Sequence, residues 1–385
     1  MGNKDSRIEF EHGNLYIALD KQSYSNIGPD KVYQVSGNLY LHLTQPFPGG
    51  NLSINFKGYE KTKWREEKSY TDHKGRRQTY YEHYKGGNDI IDQTYQIYQF
   101  QDECALPGQY VFPFKLPLPG HLPSSIEYSH ASAEGTIKYN LKGILEASNK
   151  EEAKNMEHEV DVTLKQAITE DVKYDIVSEK ESNVKQFFGF FGKGKAKVSA
   201  KFDKSVYEQD DVMKIEAEID NSSWGVPVKA VKVKLEQHVN MTSKGKQTYH
   251  RVNKIYSNKN PVTVNKGVTN TLDFQIDLKH IDTTNLYKEE KKVDKFKPMP
   301  ERIVPSISGI AVRISYLVSI QLEYGFMKSS DTKVTHLCSI LPSNLSEEAQ
   351  HPELNQYAVE TAPVNLMNST YTAPVAKVDP VTQDA

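Results

Sequence analysis

Acid–base and metal chemistry have their raw material in this chain, which carries 12 histidines and 50 acidic residues. Their spacing withholds it. The sequence has no H-E-x-x-H, no G-x-S-x-G, no phosphate-cradling G-x-x-x-x-G-K-[ST] and no G-x-G-x-x-G opening a helix. His12, His42, His73 and His83 are scattered without ligand spacing. Asp210-Asp211 and Glu289-Glu290 are sequence neighbours, and neighbours in a strand point to opposite faces, which is wrong for cooperative proton transfer. Cys104 and Cys338 fall in different halves and make neither a metal-ligand pattern nor a disulfide framework. No catalytic residue, metal or cofactor is expected, and the chain reads as a binding protein.

Three sets of residues keep chemistry of another kind. Met1-Gly2-Asn3-Lys4-Asp5-Ser6 fits M-G-x-x-x-[ST], in which the Gly2 amine is acylated once Met1 is removed. The same letters also read as a small residue after the initiator and a chance serine. One acyl chain holds a protein to a membrane only marginally, so a second signal would be needed. Phe187, Phe188, Phe190 and Phe191 beside Lys193, Lys195 and Lys197 could supply it, with rings entering the interface and ammonium groups facing anionic lipid. Against this stands the ordinary use of aromatic residues at the start of a domain, to fill the seam between sheets. Lys74, Arg76 and Arg77 flank Gly75 at the tip of a charged hairpin and form a candidate phosphate site, or the solvated tip such hairpins usually have.

The elements that must carry these residues are strands. Tyr110, Phe112, Phe114, Leu116 and Leu118 recur with period 2, while Val111, Pro113, Lys115, Pro117 and Pro119 take the other face. Proline cannot donate to a ladder, so these prolines belong at a sheet edge or at its end. Ile137 to Leu145 alternates in the same way, as do Leu15 to Leu19, Val32 to Leu43 and Leu52 to Phe56, with turn residues between them. Strands and turns at this spacing predict a β-sandwich. Lys57 to Asp92 reads as a charged, tyrosine-rich insert forming a long hairpin, and 147–159 as a loop or short helix.

A chain of 385 residues has room for two such domains and a tail. Val198 to Tyr207 repeats the pattern of Leu15 to Tyr24, an alternating strand followed by Asp-Lys-x-x-Tyr, at a shift of 203 − 20 = 183 residues. The Pro-Ser pairs at Pro123 and Pro305 give 305 − 123 = 182. Two landmarks with nearly one shift predict a duplicated sandwich. Charged residues make up 25% and the net charge is −2, so no nucleic-acid partner is implied. No apolar run reaches membrane-spanning length and the N-terminus has no signal-peptide core, so a cytoplasmic protein is expected.

Leu106-Pro107-Gly108 through Phe112-Pro113-Phe114 to Leu122-Pro123-Ser124-Ser125, followed by Ile137-Lys138-Tyr139, resembles the arrestin N-terminal domain. Gly194 through Val198 to Tyr207, Ile215 to Ser223, Val226-Pro227-Val228-Lys229 and Ile310 to Leu322 resemble the arrestin C-terminal domain. Trp64, in the charged hairpin, and Phe187 to Lys197, at the boundary, bring the likeness closest to the α-arrestin branch. The resemblance implies an all-β fold of two tandem immunoglobulin-like antiparallel β-sandwiches: 7–168 and 187–342, with a lipidation candidate at 1–6, a connector at 169–186 and a disordered tail at 343–385.

In function it implies a non-enzymatic adaptor in trafficking, endocytosis or sorting. Its partners would be membrane-protein cargo or receptor cytoplasmic segments, trafficking machinery and an anionic membrane surface, at the plasma or endosomal membrane. Two alternatives stand beside it: a stable coat subunit like the arrestin-fold member of retromer, and a signalling arrestin that binds phosphorylated receptor tails. The chain departs from the α-arrestin pattern in its tail, where Tyr357 and Tyr371 lack the prolines of a Pro-Pro-x-Tyr motif, and at the turn Glu208-Gln209-Asp210-Asp211, where the family usually has a glycine.

Overall fold

The computed structural model describes residues 9–26, 32–130, 132–151, 153–166, 173–184, 194–223, 227–281, 303–324 and 332–343. Gly2, Phe187, Phe188, Phe190, Phe191, Lys193 and all of the expected tail but Ser343 lie outside them. Among the described residues no helix is long and apolar enough to cross a membrane.

The first sandwich is built from β1 (Glu9–Phe10), β2 (Gly13–Leu19), β3 (Ser23–Ser25), β4 (Tyr33–Leu43), β5 (Asn51–Thr71), β6 (Arg77–Gln99), β7 (Gly108–Leu118), β8 (Ile126–His130), β9 (Ala133–Glu146) and β10 (Met156–Lys165). One sheet has the order β1-β2-β4-β7, the other β3-β10-β9-β5-β6, with β8 also paired to β9. The proline-bearing strand β7 lies at the sheet edge, as Pro113 and Pro117 require. Its Tyr110, Phe112, Phe114, Leu116 and Leu118 are all buried.

The second sandwich repeats the first strand for strand. It consists of β11 (Tyr174–Val184), β12 (Gly194–Lys204), β13 (Val206–Glu208), β14 (Val212–Asp220), β15 (Val228–Thr242), β16 (Thr248–Val264), β17 (Thr269–Asp277), β18 (Ile307–Ser308), β19 (Val312–Glu323) and β20 (Lys333–Leu341). Its sheets are β11-β12-β14-β17 and β13-β20-β19-β15-β16, with β18 on β19. Adding ten to each label of the first sandwich gives the second, so the duplication read from the sequence is a duplication of topology.

Local chemistry repeats as well. In both Asp-Lys-x-x-Tyr turns the lysine N–H donates to the tyrosine hydroxyl, Lys21 to Tyr24 at 3.3 Å and Lys204 to Tyr207 at 3.4 Å. Burial pushes the Tyr24 phenol up to about 12 and raises that of Tyr207 too. The Pro-Ser landmark is displaced by one residue. Ser125, not Ser124, exchanges bonds with Leu164 as Ser306 does with Ile340.

Two expectations change and one holds. The connector 169–186 contains β11, paired along its whole length with β12 as the edge strand of the second sandwich. Its polarity misled because its backbone joins the ladder while its acids face lysines across it: Lys195 to Glu181 at 2.7 Å, Lys197 to Glu179 at 3.0 Å and Lys201 to Asp175 at 2.9 Å. The insert 57–92 forms the long hairpin expected of it, its arms paired as parts of β5 and β6 with a register shift between Gly58 and Tyr59. The last strand of the first sandwich, β10, starts at Met156 rather than Val160, its polar Glu157, His158 and Glu159 alternating into the ladder with β9.

His336 in β20 stacks on Phe202 of the opposite sheet at 4.6 Å, and its buried Nε2 has no hydrogen-bond partner. Burial lowers its pKa below the usual histidine value. The unfolded chain therefore binds this proton more readily, and stability present above about pH 6.5 is lost as pH falls through the folded pKa. Urea midpoints should drop between about pH 7 and 5, and His336→Phe, which keeps the stack and cannot titrate, should flatten that part of the slope. An unchanged slope would remove His336 from the account.

Candidate interaction surfaces

Two sandwiches joined by a linker would move freely unless their contact were built, and here it is. Glu60, Thr62 and Trp64 alternate along β5, so all three side chains leave the same face. Their exposures of 2%, 3% and 1% mark that face as a seam rather than a solvated surface. Each meets the second sandwich in its own way. Glu60 accepts the backbone N–H of Ile310 at 2.9 Å through Oε1 and that of Ala311 through Oε2. The Thr62 hydroxyl donates to the Thr242 carbonyl at 2.9 Å. Trp64 lies between Tyr84 of its own sheet, 5.2 Å away and stacked, and Tyr249 of the other sandwich at 5.9 Å.

A second line of contact is wholly polar. Asn253 Nδ2 donates to the Tyr128 hydroxyl at 3.1 Å and to Gln237 Oε1 at 3.0 Å, and Gln237 Nε2 donates to the Tyr316 hydroxyl at 2.7 Å. Tyr316 in turn donates to the Val304 carbonyl. Every member is buried, which is tolerable because each finds a partner. Gly86 permits the closest approach: a Cβ there would sit 2.2 Å from the Thr242 carbonyl oxygen. Next to it, the Lys244 N–H donates to the Lys85 carbonyl at 3.1 Å.

Beyond Trp64 the hairpin leaves the sheet. Pairing of β5 with β9 ends at Trp64 and Ala133, whereas β5 and β6 stay paired as far as Thr71 and Arg77. The projecting ribbon is therefore about 20 Å long. Tyr70, Tyr80 and Tyr81 on it are about half exposed, and the Arg65 guanidinium lies over the Tyr81 ring at 4.7 Å.

Lys74, Arg76 and Arg77 sit together at its tip, but Asp72 occupies the centre of that group. Its carboxylate accepts the N–H groups of Lys74 and Arg76, each at 2.9 Å, and the Arg76 Nε at 3.1 Å. These bonds, the Arg76 N–H first, hold the Asp72 carboxyl below its usual range. The phosphate-binding candidates thus share their tip with a built-in anion that holds Arg76. Of the membrane-contact candidates, Lys195 and Lys197 lie on β12, and the hydrogen bonds to Glu181 and Glu179 raise both ammonium groups above the usual lysine range.

One cationic surface escaped sequence reasoning. Val231, Val233 and Leu235 of β15 point into the core, so Lys232, Lys234 and Glu236 face outward. Register brings other strands' residues alongside. One row across the sheet reads Lys259, Lys232, Gln321 and Lys333; the next reads Ser257, Lys234, Ser319 and Thr335; the third reads Lys254, Glu236, Leu317 and Leu337.

Five lysines share this face with Glu236 and with Glu323, which pairs Lys259 at 2.6 Å. Lys232 stands directly opposite Lys259, an arrangement that costs stability in a sheet. Burial, with Lys232, Lys333 and Lys254 adding like charge, lowers the pKa of Lys234. The only sequence signal was the alternation Val231-Lys232-Val233-Lys234-Leu235.

Comparison with known families agrees with this architecture. The family model described as arrestin (or S-antigen), N-terminal domain, matches residues 17–168, and that of the arrestin (or S-antigen) C-terminal domain matches residues 192–344. No match was found among curated proteins.

Proposed function

Because this chain belongs to the arrestin family and carries both of its domains in tandem, we propose that it is a non-enzymatic adaptor in membrane-protein trafficking, drawn to anionic membrane surfaces. Arrestin domains are adaptor and scaffold folds, and the family binds receptors and trafficking machinery. The observation that carries the finer reading is the lysine face of the second sandwich, where like charges are held together at a cost to the sheet. Anionic headgroups relieve that repulsion and attract each lysine near the surface. Cargo or receptor segments in extended form would add to a sheet edge, such as that of β6 to either side of its contact with the second sandwich at Lys85 and Gly86. Acylation at Gly2 would be the second anchor, placing a cytoplasmic protein on plasma or endosomal membranes.

Flotation with phosphatidylserine vesicles tests the membrane step. Lys232→Glu with Lys254→Glu is expected to weaken binding about tenfold or more, and raised salt to weaken the wild type. Equal binding by wild type and variant would discard the lysine face as a membrane contact. Fractionation of cells expressing the protein and its Gly2→Ala variant, with mass analysis of the N-terminus, tests the anchor separately. An unmodified, soluble wild type would remove Gly2 from the proposal.

A further inference from the structure

At the open end of the β5–β6 hairpin, opposite its tip, the first sandwich holds a cavity of about 400 Å³ lined by Gly50, Asn51, Gln96, Gln99, Glu103 and Glu146. Its chemistry is one-sided. Two carboxylates and three side-chain amides face it, with no lysine or arginine among the lining residues. Small-molecule sites are mostly apolar, so a lining of this kind suits a small polar cation instead. Neither carboxylate has a cationic partner among the described residues. Glu146 accepts the Asn51 Nδ2 at 2.8 Å and Glu103 the Ser148 hydroxyl at 3.4 Å. The first of these bonds fixes the Asn51 amide and leaves its buried Oδ1 without a donor.

Backbone bonds tie the walls together before any ligand arrives. Phe47 and Ala105 exchange both of theirs, at 2.8 and 3.0 Å; the Phe100 N–H donates to the Gly50 carbonyl at 2.8 Å, and the Ser148 N–H to that of Pro48 at 2.8 Å. Glycine permits such closeness. A Cβ on Gly49 would lie 2.0 Å from the Glu146 carbonyl oxygen, and one on Gly50 would lie 3.0 Å from the Glu103 Cα. Glu103 reaches the cavity through an unusual backbone, since Asp102 and Glu103 are consecutive non-glycine residues in the left-handed region, with φ of 54° and 50°.

We propose that this cavity binds an alkylguanidinium group, either the arginine side chain of a partner protein or a free small guanidine. A guanidinium is planar and donates five N–H bonds in fixed directions, so it can meet acceptors on several walls at once. Those walls are Asn51 on β5, Glu146 at the end of β9 and Glu103 on the crossing from β6 to β7. An ammonium is compact and more strongly hydrated, and would give up more water to fewer acceptors. A hard metal ion would want more carboxylates than the two present, and the described residues hold no group of three metal-ligating side chains. The cavity belongs to the first sandwich and the lysine face to the second, so this site stands apart from the membrane proposal.

The test follows the amide shifts of Gly50, Gln99, Glu103 and Ser148 in the full chain during titration with ethylguanidinium, ethylammonium and ethylurea. Ethylguanidinium should saturate them with a Kd of about 1–10 mM, ethylammonium should bind at least about fivefold more weakly, and ethylurea should not bind. Glu103→Gln and Glu146→Gln should each weaken binding about tenfold. Glu216→Gln, an exposed acid of β14 in the second sandwich, should leave it unchanged. Glu103→Gly, which suits a left-handed backbone, should lose binding while holding or raising the urea midpoint, and so separates the site from the fold.

A blocked Ala-Arg-Ala peptide that binds as well as ethylguanidinium would identify a partner's arginine as the source, and its exclusion a free guanidine. Equal binding of ethylammonium would overturn the proposal. So would a loss with Glu216→Gln as large as that with Glu103→Gln, or no shift at about 50 mM ethylguanidinium.

Discussion

Glu60→Ala is expected to lower unfolding free energy by about 2–4 kcal/mol, because it strips the acceptor from two amides at once. The Ala311 N–H is buried and has no water to turn to, while Ile310, with its side chain exposed, can recover part of its loss. The cost should come with a change of form. If Glu60 ties the sandwiches together, urea unfolding of the variant should spread into two transitions, and exchange of the Ile310 and Ala311 amides should quicken before the core opens. Glu60→Gln keeps one oxygen and turns a donor toward the other amide, so it should fall between the two. A variant within about 0.5 kcal/mol of wild type, unfolding in one transition, would show that the clamp carries no weight.

Trp64→Ala should cost about 3–5 kcal/mol, the usual range for truncating a large buried aromatic side chain. Its indole is 1% exposed and fills the space between Tyr84 and Tyr249, so the cavity opens across both sandwiches. Trp64→Phe, which keeps a ring between the two tyrosines, should recover more than half of the loss. Tyr80→Ala, on the projecting ribbon beyond the seam, should change stability by less than about 0.5 kcal/mol. Comparable midpoints for Trp64→Ala and Tyr80→Ala would mean that the seam adds nothing to the folded state.

Strand β7 and the duplicated turns were legible because their letters alternate: five apolar side chains on one side of Pro113 and Pro117, and Asp-Lys-x-x-Tyr twice. Alternation was the wrong guide at the seam. Glu60 and Thr62 lie among Lys61 and Lys63, and nothing in that string says which polar face water keeps and which a second sandwich takes. Gln237 and Asn253 hid for the same reason, since a buried amide with partners spells the same as a solvated one. Strand β11 was missed because ion pairs across a ladder leave no periodic apolar signal. The lysine face was legible only on β15. Lys254, Lys259 and Lys333 join it through register, and register between strands up to about 100 residues apart is not written in any one of them.

The parallel pairing of β3 with β10 joins Ser23–Ser25 to Thr163–Lys165, and β13 with β20 joins Val206–Glu208 to Ser339–Leu341. Each sandwich is thus sealed by the last of its strands to leave the ribosome. Until β10 emerges, the stretch Tyr139–Leu145 of β9 lacks its partner on one side, and the same holds for Tyr316–Gln321 of β19 until β20 emerges. During synthesis the nascent chain therefore carries an open sheet edge twice, and the second opening arises beside a finished sandwich of the same topology. A strand such as β20 that arrives late can be anticipated by its counterpart from a neighbouring nascent chain. Chaperone dependence should accordingly be greatest for chains stalled just short of those two closures.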